Sequence, residues 1–461
     1  MYVRKVRCLV FPNAAIGAAH RLTGGMLDIT VTAGEPADSK LVARVAIPAD
    51  EVKKAVAATY KEIAGRYNFP GFRKGRAPRP VIDSAVGKEA VMADATNELL
   101  SKAEPFIINE LGVVPVGELD FGEDLQPVVD KQDYEVEVTV TLIPTAELSS
   151  YDPVDIQMPP AEATDAEVAS QLDLLMSYQA RFEDGDENTQ VASGDFVNVD
   201  IEDIENASEL AGEGRMLPTG SGMLPQALEE ALVGMKPAGE KEVEYEGADG
   251  SQIKMKVKVN DVKVKTVPEL TDEYVSDVFG FDNIDALKEA LKKEIQQDKD
   301  QNLPALKEDR AVAALEKRLE LETVPEDYVK QINGEITRSF LQDLQASGQT
   351  VDSFLKARRV TMDQLLADLQ AQAVEHARQS IALDALARHL NVEATQEDVR
   401  AEFENVYDEK HLDKALKEFT ESGQMPAVRE TVKRTKALQW LLDNAHVTEV
   451  DEVAEKNDSA E

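Results

Sequence analysis

Alternating apolar and polar positions mark a strand at residues 134–142. Its apolar face consists of Tyr134, Val136, Val138, Val140 and Leu142. This period of two is typical of a half-buried strand, and the apolar run Leu41–Ile47 indicates another. Between the two strands, residues 50–66 and 80–111 are rich in helix formers. Residues 26–144 are therefore predicted to form one α+β domain.

The next two segments differ in their hydrophobic period. Residues 145–190 begin extended, and Thr164 with Glu167 then matches a capping box that opens a helix. The apolar stripe of that helix is Val168, Leu172, Leu175 and Met176. Residues 191–266 return to strand patterns, at 195–201, 241–246 and 253–265. We predict a connector followed by a small β-rich domain.

Residues 267–446 show helical spacing nearly throughout. The clearest stripe is Ile284, Leu287, Leu291 and Ile295. Pro304 and Pro325 are predicted to end helices, because proline lacks the backbone N–H that a helix interior needs. Residues 447–461 are acidic and predicted to be disordered. The expected fold class is multidomain α+β, with an α+β domain, a small β-rich domain and a large all-α domain.

Length and charge narrow the classes of function. A chain of 461 residues is too long for one compact core and is expected to form about two to four domains. Its net charge of -38 argues against general binding to nucleic acid or to an anionic membrane, since clustered Lys and Arg supply phosphate attraction. The single cysteine, Cys8, excludes an internal disulfide and any CxxC site.

The first 25 residues contain four Lys or Arg and no acidic residue. Pro12 and Asn13 interrupt their apolar run, and no small-residue cleavage site follows, so a signal peptide is not favoured. Residues 1–25 are interpreted as a disordered extension, or as the result of a start assigned upstream of Met26. No segment approaches the ~20 apolar residues of a membrane span, and a soluble cytoplasmic protein is predicted.

The usual signatures of catalysis are missing from the sequence. Residues 87–89, GKE, lack the glycine-rich approach and the Ser or Thr of a nucleotide-binding P-loop. The five histidines are scattered without the i, i+4 pairing of a helical metal site, and His376 and His389 are interpreted as solvated or capping residues. We predict no cofactor, no metal site and no catalytic nucleophile.

The segment PGFRKGRAPRP, residues 70–80, concentrates four cations in a predicted turn between two helices. Glycine permits backbone shapes that other residues avoid, and proline fixes its own φ, so the turn is expected to be stiff. Arginine presents a planar fork suited to phosphate, and Phe72 offers a ring that can stack on a base. Composition alone leaves two interpretations open, an ordinary turn and a local phosphate-binding loop.

Gly71, Phe72, Arg73, Lys74, Gly75 and Arg76 form the sequence GFRKGR, followed by AP. This stretch resembles the ribosome-docking signature of the trigger factor family, with Arg76 in place of the usual lysine. The segment VPELTDEYV, residues 267–275, resembles the family's junction into its helical domain. The similarity extends from Met26 through the chain.

The resemblance implies an ATP-independent chaperone. Residues 26–144 would bind the ribosome through an exit-tunnel protein and ribosomal RNA, and residues 267–446 would form a cradle for nascent chains. Such a protein holds unfolded polypeptides and assists folding and export. The alternatives are a free cytosolic prolyl isomerase and holdase that does not dock, and an exported chaperone. Whether the free protein forms a homodimer stays open.

Residues 222–243 resemble the stretch of FKBP domains in which a MIPGFE-like turn leads into a short helix. Met223, Leu224 and Pro225 match this turn, and the resemblance implies peptidyl-prolyl cis-trans isomerase activity for residues 191–266. Such enzymes hold the prolyl bond in an apolar aromatic pocket, where desolvation favours the twisted amide. Here the candidate pocket is Ile201, Met223, Leu224 and Leu228. Because Ile201 and Leu228 replace expected aromatics, weak activity or a retained scaffold is expected.

The helical domain presents a further ambiguity. Leu365, Leu369, Leu383 and Leu386 follow helical spacing, which suits both an ordinary core and an apolar cradle surface. The sequence does not separate these interpretations.

Overall fold

The computed structural model describes residues 27–208, 210–247 and 251–454. The predicted N-terminal extension, with Cys8 and Met26, and the last residues of the predicted acidic tail lie outside them. The strands are β1 Thr30–Ala33, β2 Lys40–Ile47, β3 Tyr134–Thr141, β4 Asp155–Met158, β5 Arg181–Asp184, β6 Phe196–Glu205, β7 Gly212–Pro218, β8 Glu240–Glu246, β9 Gln252–Thr266 and β10 His446–Glu449.

The helices were assigned over the same residues. They are α1 Ala49–Arg66, α2 Arg79–Val86, α3 Lys88–Leu111, α4 Asp165–Tyr178, α5 Gln226–Leu232, α6 Asp272–Tyr274, α7 Ile284–Glu316, α8 Glu326–Ala346, α9 Val351–Arg358, α10 Met362–His389, α11 Gln396–Glu404, α12 Glu409–Glu421 and α13 Met425–Asn444. A π-helical turn, Val275–Phe279, follows α6. The chain is a multidomain α+β protein, as predicted.

The chain divides into two compact units. One falls within Met1–Met158 and Ala305–Thr448, and the other within Pro159–Pro304 and Glu449–Glu461. The first unit therefore combines segments that are distant in sequence, and helix α7 supplies residues to both units.

The sheet of the first unit is antiparallel in the order β1-β2-β3. Along β3, Tyr134, Val138 and Val140 are buried while the intervening residues are more exposed, so the predicted alternation is confirmed. Val45 of β2 lies opposite Val136 of β3 in this register. The apolar side chains therefore come to one face, on which the helices pack.

Helices α1, α2 and α3 supply the remainder of this core, with residues such as Val56, Ile82 and Leu99. The helix predicted at 80–111 is two helices, because Gly87 adopts a φ of +96° that ends α2 and begins α3. The sequence signal for this break was the glycine itself, which the helical pattern around it outweighed.

Helices α8 to α13 and the end of α7 also belong to the first unit. A capping box of Thr361 and Gln364 begins α10. Pro325 precedes α8 as expected, but the prediction that Pro304 ends a helix is wrong, since α7 continues through it for twelve more residues, to Glu316. The helix formers on both sides of Pro304 outweigh the loss of one backbone donor.

Strands β4 and β10 pair with each other. His446 donates its backbone N–H to the carbonyl of Val154 at 2.8 Å. The first residues of the predicted disordered tail thus belong to a strand. A sequence of four exposed residues carries no periodic signal, so only the partner strand reveals it.

The second unit contains a five-stranded antiparallel sheet in which β9 pairs with β5, β6 and β8, and β6 also pairs with β7. The three predicted strand regions correspond to β6, β8 and β9. Helix α5 packs its Leu228 and Leu232 against the sheet. The predicted capping box of Thr164 and Glu167 begins α4, whose Val168 and Leu172 pack with Leu287 of α7.

Candidate functional site

The loop between α1 and α2 consists of turns anchored to α1. Phe69 is buried, and its carbonyl accepts the N–H of Phe72 at 3.1 Å. The N–H of Gly75 donates to the carbonyl of Ala64, in the last turns of α1, at 2.7 Å. Gly71 and Gly75 have φ of +84° and +81°, a region that glycine reaches without steric cost. The two glycines therefore set the path of the backbone.

All six predicted docking residues, 71–76, are exposed. Arg73, Lys74 and Arg76 form no ion pair within the described part of the chain. Phe72 stands among these cations with 44% of its surface exposed. A ring flanked by unpaired arginines is suited to stacking on a base or to entering an apolar crevice, while the cations face phosphate.

Arg79, the fourth cation of the segment, is held differently. Its Nη1 lies 3.1 Å from Oδ2 of Asp130, and its Cζ lies 4.6 Å from the centre of the Tyr60 ring. The Tyr60 hydroxyl donates to Oδ1 of Asp83 at 2.5 Å. Burial and the Asp83 carboxylate raise the pKa of Tyr60 to about 12, so this donor stays protonated.

Sequence reasoning missed this cluster. Asp130 lies 51 positions beyond Arg79 and Asp83 lies 23 beyond Tyr60. No spacing rule connects such residues. The sequence shows that Arg79 lies beside the docking cations, but it does not show that Arg79 pairs with Asp130.

The four candidate prolyl-pocket residues occupy different environments. Ile201 of β6 and Leu228 of α5 are 4% and 0% exposed in the core of the second unit. Leu224 is half-buried against that core, whereas Met223 is 77% exposed. Ile201 and Leu228 thus belong to one core, Leu224 packs against that core, and Met223 lies at the surface. Tyr245 of β8, which the sequence argument did not use, also packs against this core.

The four leucines of α10 that were ambiguous in the sequence are all buried. Leu365 and Leu369 are 8% and 5% exposed, and Leu383 and Leu386 are almost fully enclosed. Leu366, directly beside Leu365, is 54% exposed. The helical segment does expose apolar side chains, but they are neighbours of these four leucines and not the leucines themselves.

A buried ion pair joins α10 to α13. Nε and Nη2 of Arg434 donate to Oδ1 and Oδ2 of Asp384 at 2.6 and 2.7 Å. Burial alone would lower the pKa of Arg434, but the Asp384 carboxylate raises it above its usual value. Both residues line a cleft of about 480 Å³ within the first unit, together with Arg388 and Lys433.

His376 of α10 lies near this pair. Burial, and to a smaller extent the charge of Arg434, lowers the pKa of His376 to about 4, so the imidazole is neutral near pH 7. The interpretation of His376 as a solvated or capping residue is therefore wrong, since its Nδ1 is buried and has no hydrogen-bond partner among the described residues. His389 instead stacks on the Tyr151 ring, with centroids 4.0 Å apart. Within residues 27–208, 210–247 and 251–454, no cluster of three or more His, Cys, Asp or Glu is arranged to hold a metal ion.

Among the residues that the structure describes, no helix combines the length and the apolar character that crossing a membrane requires.

Comparison with known proteins identifies the family. The model of bacterial trigger factor protein matches residues 29–175, and that of the trigger factor C-terminus matches residues 283–443. The trigger factor of Staphylococcus carnosus is 30% identical over 431 residues, which cover 90% of this chain and 96% of the relative. The trigger factor of Finegoldia magna is 28% identical over 426 residues, covering 89% and 96%.

A solved structure from a study of promiscuous substrate recognition in folding and assembly activities of the trigger factor chaperone also aligns with this chain. It shares 21% sequence identity, with a TM-score of 0.36, and the alignment covers 90% of this chain and 99% of that one. The family models and the sequence relatives carry the assignment. This chain belongs to the trigger factor family.

Proposed function

We propose that this protein is an ATP-independent chaperone that acts in the cytoplasm and docks at the ribosomal exit tunnel through residues 71–76. It would hold nascent chains in an open conformation and assist their folding and export. The observation that carries the proposal is the loop between α1 and α2, which exposes Phe72 and three cations without ion-pair partners in the described part of the chain. Family membership supports the same role.

Charge supports a local and reversible attachment. The net charge of -38 repels the chain as a whole from phosphate, so attraction is restricted to the loop. The interaction is expected to depend on salt, because exposed charges are screened beyond about 10 Å at 0.1 M ionic strength. If the three free cations each neutralise one phosphate, log K falls with log salt with a slope of about -2 to -3.

The domains receive separate roles in this proposal. Residues 26–144 would dock on the ribosome, residues 145–190 would connect, and residues 267–446 would contact client chains. Exposed apolar side chains of the helical segment, such as Leu341, Met362 and Leu366, suit contacts with varied unfolded sequences.

Residues 191–266 would act as an FKBP-like prolyl isomerase of low activity. Ile201 and Leu228 are occupied by core packing, which leaves Leu224 and Met223 as the accessible part of the candidate pocket. A protease-coupled assay with a proline-containing peptide tests this part of the proposal. A rate no higher than the uncatalysed isomerisation would reduce the domain to a scaffold.

Co-sedimentation with bacterial ribosomes at low and moderate salt tests docking. The variant Phe72→Ala/Arg73→Ala/Lys74→Ala should lose binding. The matched control Lys53→Ala/Lys61→Ala also removes two positive charges, from exposed positions of α1, and should bind as the wild type does. Equal binding by the triple variant, or no binding by the wild type, would refute docking through this loop and favour a free chaperone.

A further inference from the structure

The basic segment of residues 70–80 contains two kinds of cation. Arg73, Lys74 and Arg76 form no ion pair within the described part of the chain. Arg79, in contrast, pairs with Asp130, and its guanidinium lies over the ring of Tyr60. An arginine beside a carboxylate adds no net positive charge to a surface. Arg79 is therefore poorly suited to attract phosphate, although the sequence places it with the other three.

Asp130 is held in place from several directions. The segment before it is fixed because the N–H of Val128 donates to Oγ1 of Thr96 at 2.9 Å, in α3. The segment after it contains Lys131 at a φ of +66°, which turns the chain into β3. Oδ1 of Asp130 is buried and has no hydrogen-bond partner among the described residues, so the carboxylate depends on Arg79.

Arg79 is also the first residue of α2, immediately after the docking loop. The other end of the loop is tied to α1 by the hydrogen bond from Gly75 to Ala64. Tyr60 and Asp83 connect α1 to α2 behind Arg79. The contacts of Arg79 thus restrain the C-terminal end of a segment whose free cations must be presented together.

We infer that Arg79 is a positioning residue of the docking loop, held by Asp130 and Tyr60, and that the surface facing ribosomal phosphate contains three cations rather than four. The inference rests on the proposed ribosome docking. A loop that is ordered before binding loses less conformational freedom on binding. Loosening this attachment should therefore weaken docking without removing any charge that contacts the partner.

The substitution Asp130→Asn separates positioning from direct contact. A positioning role predicts that ribosome affinity falls about 3- to 10-fold, the usual range for ordering one long side chain, with an unchanged salt slope. A direct phosphate contact by Arg79 predicts the opposite, since removing a neighbouring negative charge frees the guanidinium and strengthens binding. Unchanged or stronger binding by Asp130→Asn would overturn the inference.

Arg79→Ala and Arg79→Lys complete the binding experiment, measured with the full chain and 70S ribosomes at several salt concentrations. Arg79→Ala should weaken binding at constant slope, whereas loss of a phosphate contact would make the slope shallower by about 0.7 to 0.9. Arg79→Lys, which can still pair with Asp130, should restore part of the affinity. The control Glu137→Gln breaks an exposed ion pair with Arg44 in the sheet β1-β2-β3 and should leave binding unchanged.

Trypsin digestion of the free protein supplies a readout that does not need ribosomes. Asp130→Asn should speed cleavage after Arg73, Lys74 and Arg76 relative to cleavage at Lys53 and Lys61 in α1. A merely structural loss of stability would speed both sets equally and would count against positioning. If Phe72→Ala/Arg73→Ala/Lys74→Ala retains ribosome binding, the proposed function fails and the inference fails with it. If that variant loses binding while Asp130→Asn retains it, only the inference fails.

Discussion

Removal of Asp384 tests how α10 and α13 are held together. The side chains of Asp384 and Arg434 are 15% and 18% exposed, and two hydrogen bonds of 2.6 and 2.7 Å join them. Asp384→Ala would leave the guanidinium enclosed without its carboxylate. Breaking a buried pair in this way costs about 3 to 5 kcal/mol of the free energy of unfolding, because the remaining charge is neither solvated nor paired.

Replacement of both partners should cost much less. In Asp384→Leu/Arg434→Met the charges disappear together and side chains of comparable volume remain. Apolar replacement of a whole buried pair is often neutral or stabilising. We therefore expect the double variant to recover most of the stability that Asp384→Ala loses. Glu418→Ala, which breaks an exposed pair with Lys414, should change stability by less than about 1 kcal/mol.

Urea unfolding followed by tryptophan fluorescence provides the assay. Trp440 is the only tryptophan of the sequence and lies on α13, six residues after Arg434. With a denaturant slope of about 3 kcal/mol per M, the loss predicted for Asp384→Ala lowers the midpoint by about 1 to 2 M. A shift no larger than that of Glu418→Ala, or a double variant as unstable as the single one, would refute the reasoning.

Outcomes are also expected for five further variants. The pKa of His376 is about 4 in the folded protein and 6.5 in a model peptide, so the free energy of unfolding falls as pH is lowered from about 6.5 to about 4. His376→Gln should remove about 3 kcal/mol of this loss. The measurement is the change in urea midpoint between neutral pH and about pH 4. Apart from the local backbone, no described heavy atom lies within 4 Å of a Cβ built on either Gly334 or Gly348, so backbone conformation decides the effect of a substitution. Gly334→Ala, inside α8, should stabilise by about 0.5 to 1 kcal/mol, and Gly348→Ala, at a φ of +69°, should destabilise by about 1 kcal/mol in thermal unfolding. Leu228→Ala should cost about 2 to 5 kcal/mol through a cavity, whereas Met223→Ala should leave the unfolding midpoint unchanged and lower the rate in the protease-coupled isomerase assay.

The sequence predicted those parts of the fold whose signals are local. The strand at residues 134–142 and the capping box of Thr164 were predicted correctly because the deciding residues lie within a few positions of one another. The continuation of α7 through Pro304 was not predicted, because the helix formers around a proline decide whether the helix continues through it. Strand β10 depends on pairing with β4 and has no pattern of its own.

The candidate site divides along the same line. The docking loop was predicted because its glycines, prolines and cations lie within eleven consecutive residues. The attachment of Arg79 to Asp130 was not, since the two meet only after α2, α3 and β3 have assembled. The burial of Leu228 also depends on packing, because a leucine on a short helix has the same sequence pattern whether it faces a core or a pocket.

The division of the first unit has a consequence for synthesis of the chain itself. Residues 159–304 are made before the helices α8 to α13 that complete this unit, so the contacts of α3 with α12 and α13 form only after these downstream helices have been made. Asn109 of α3, for example, donates its side-chain amide to the carbonyl of Thr420 at 2.6 Å. If the second unit folds as it emerges, it shortens the loop to be closed and lowers the entropic cost of that late contact. A chain whose two units are arranged in this order along the sequence completes its own packing only near the end of its translation.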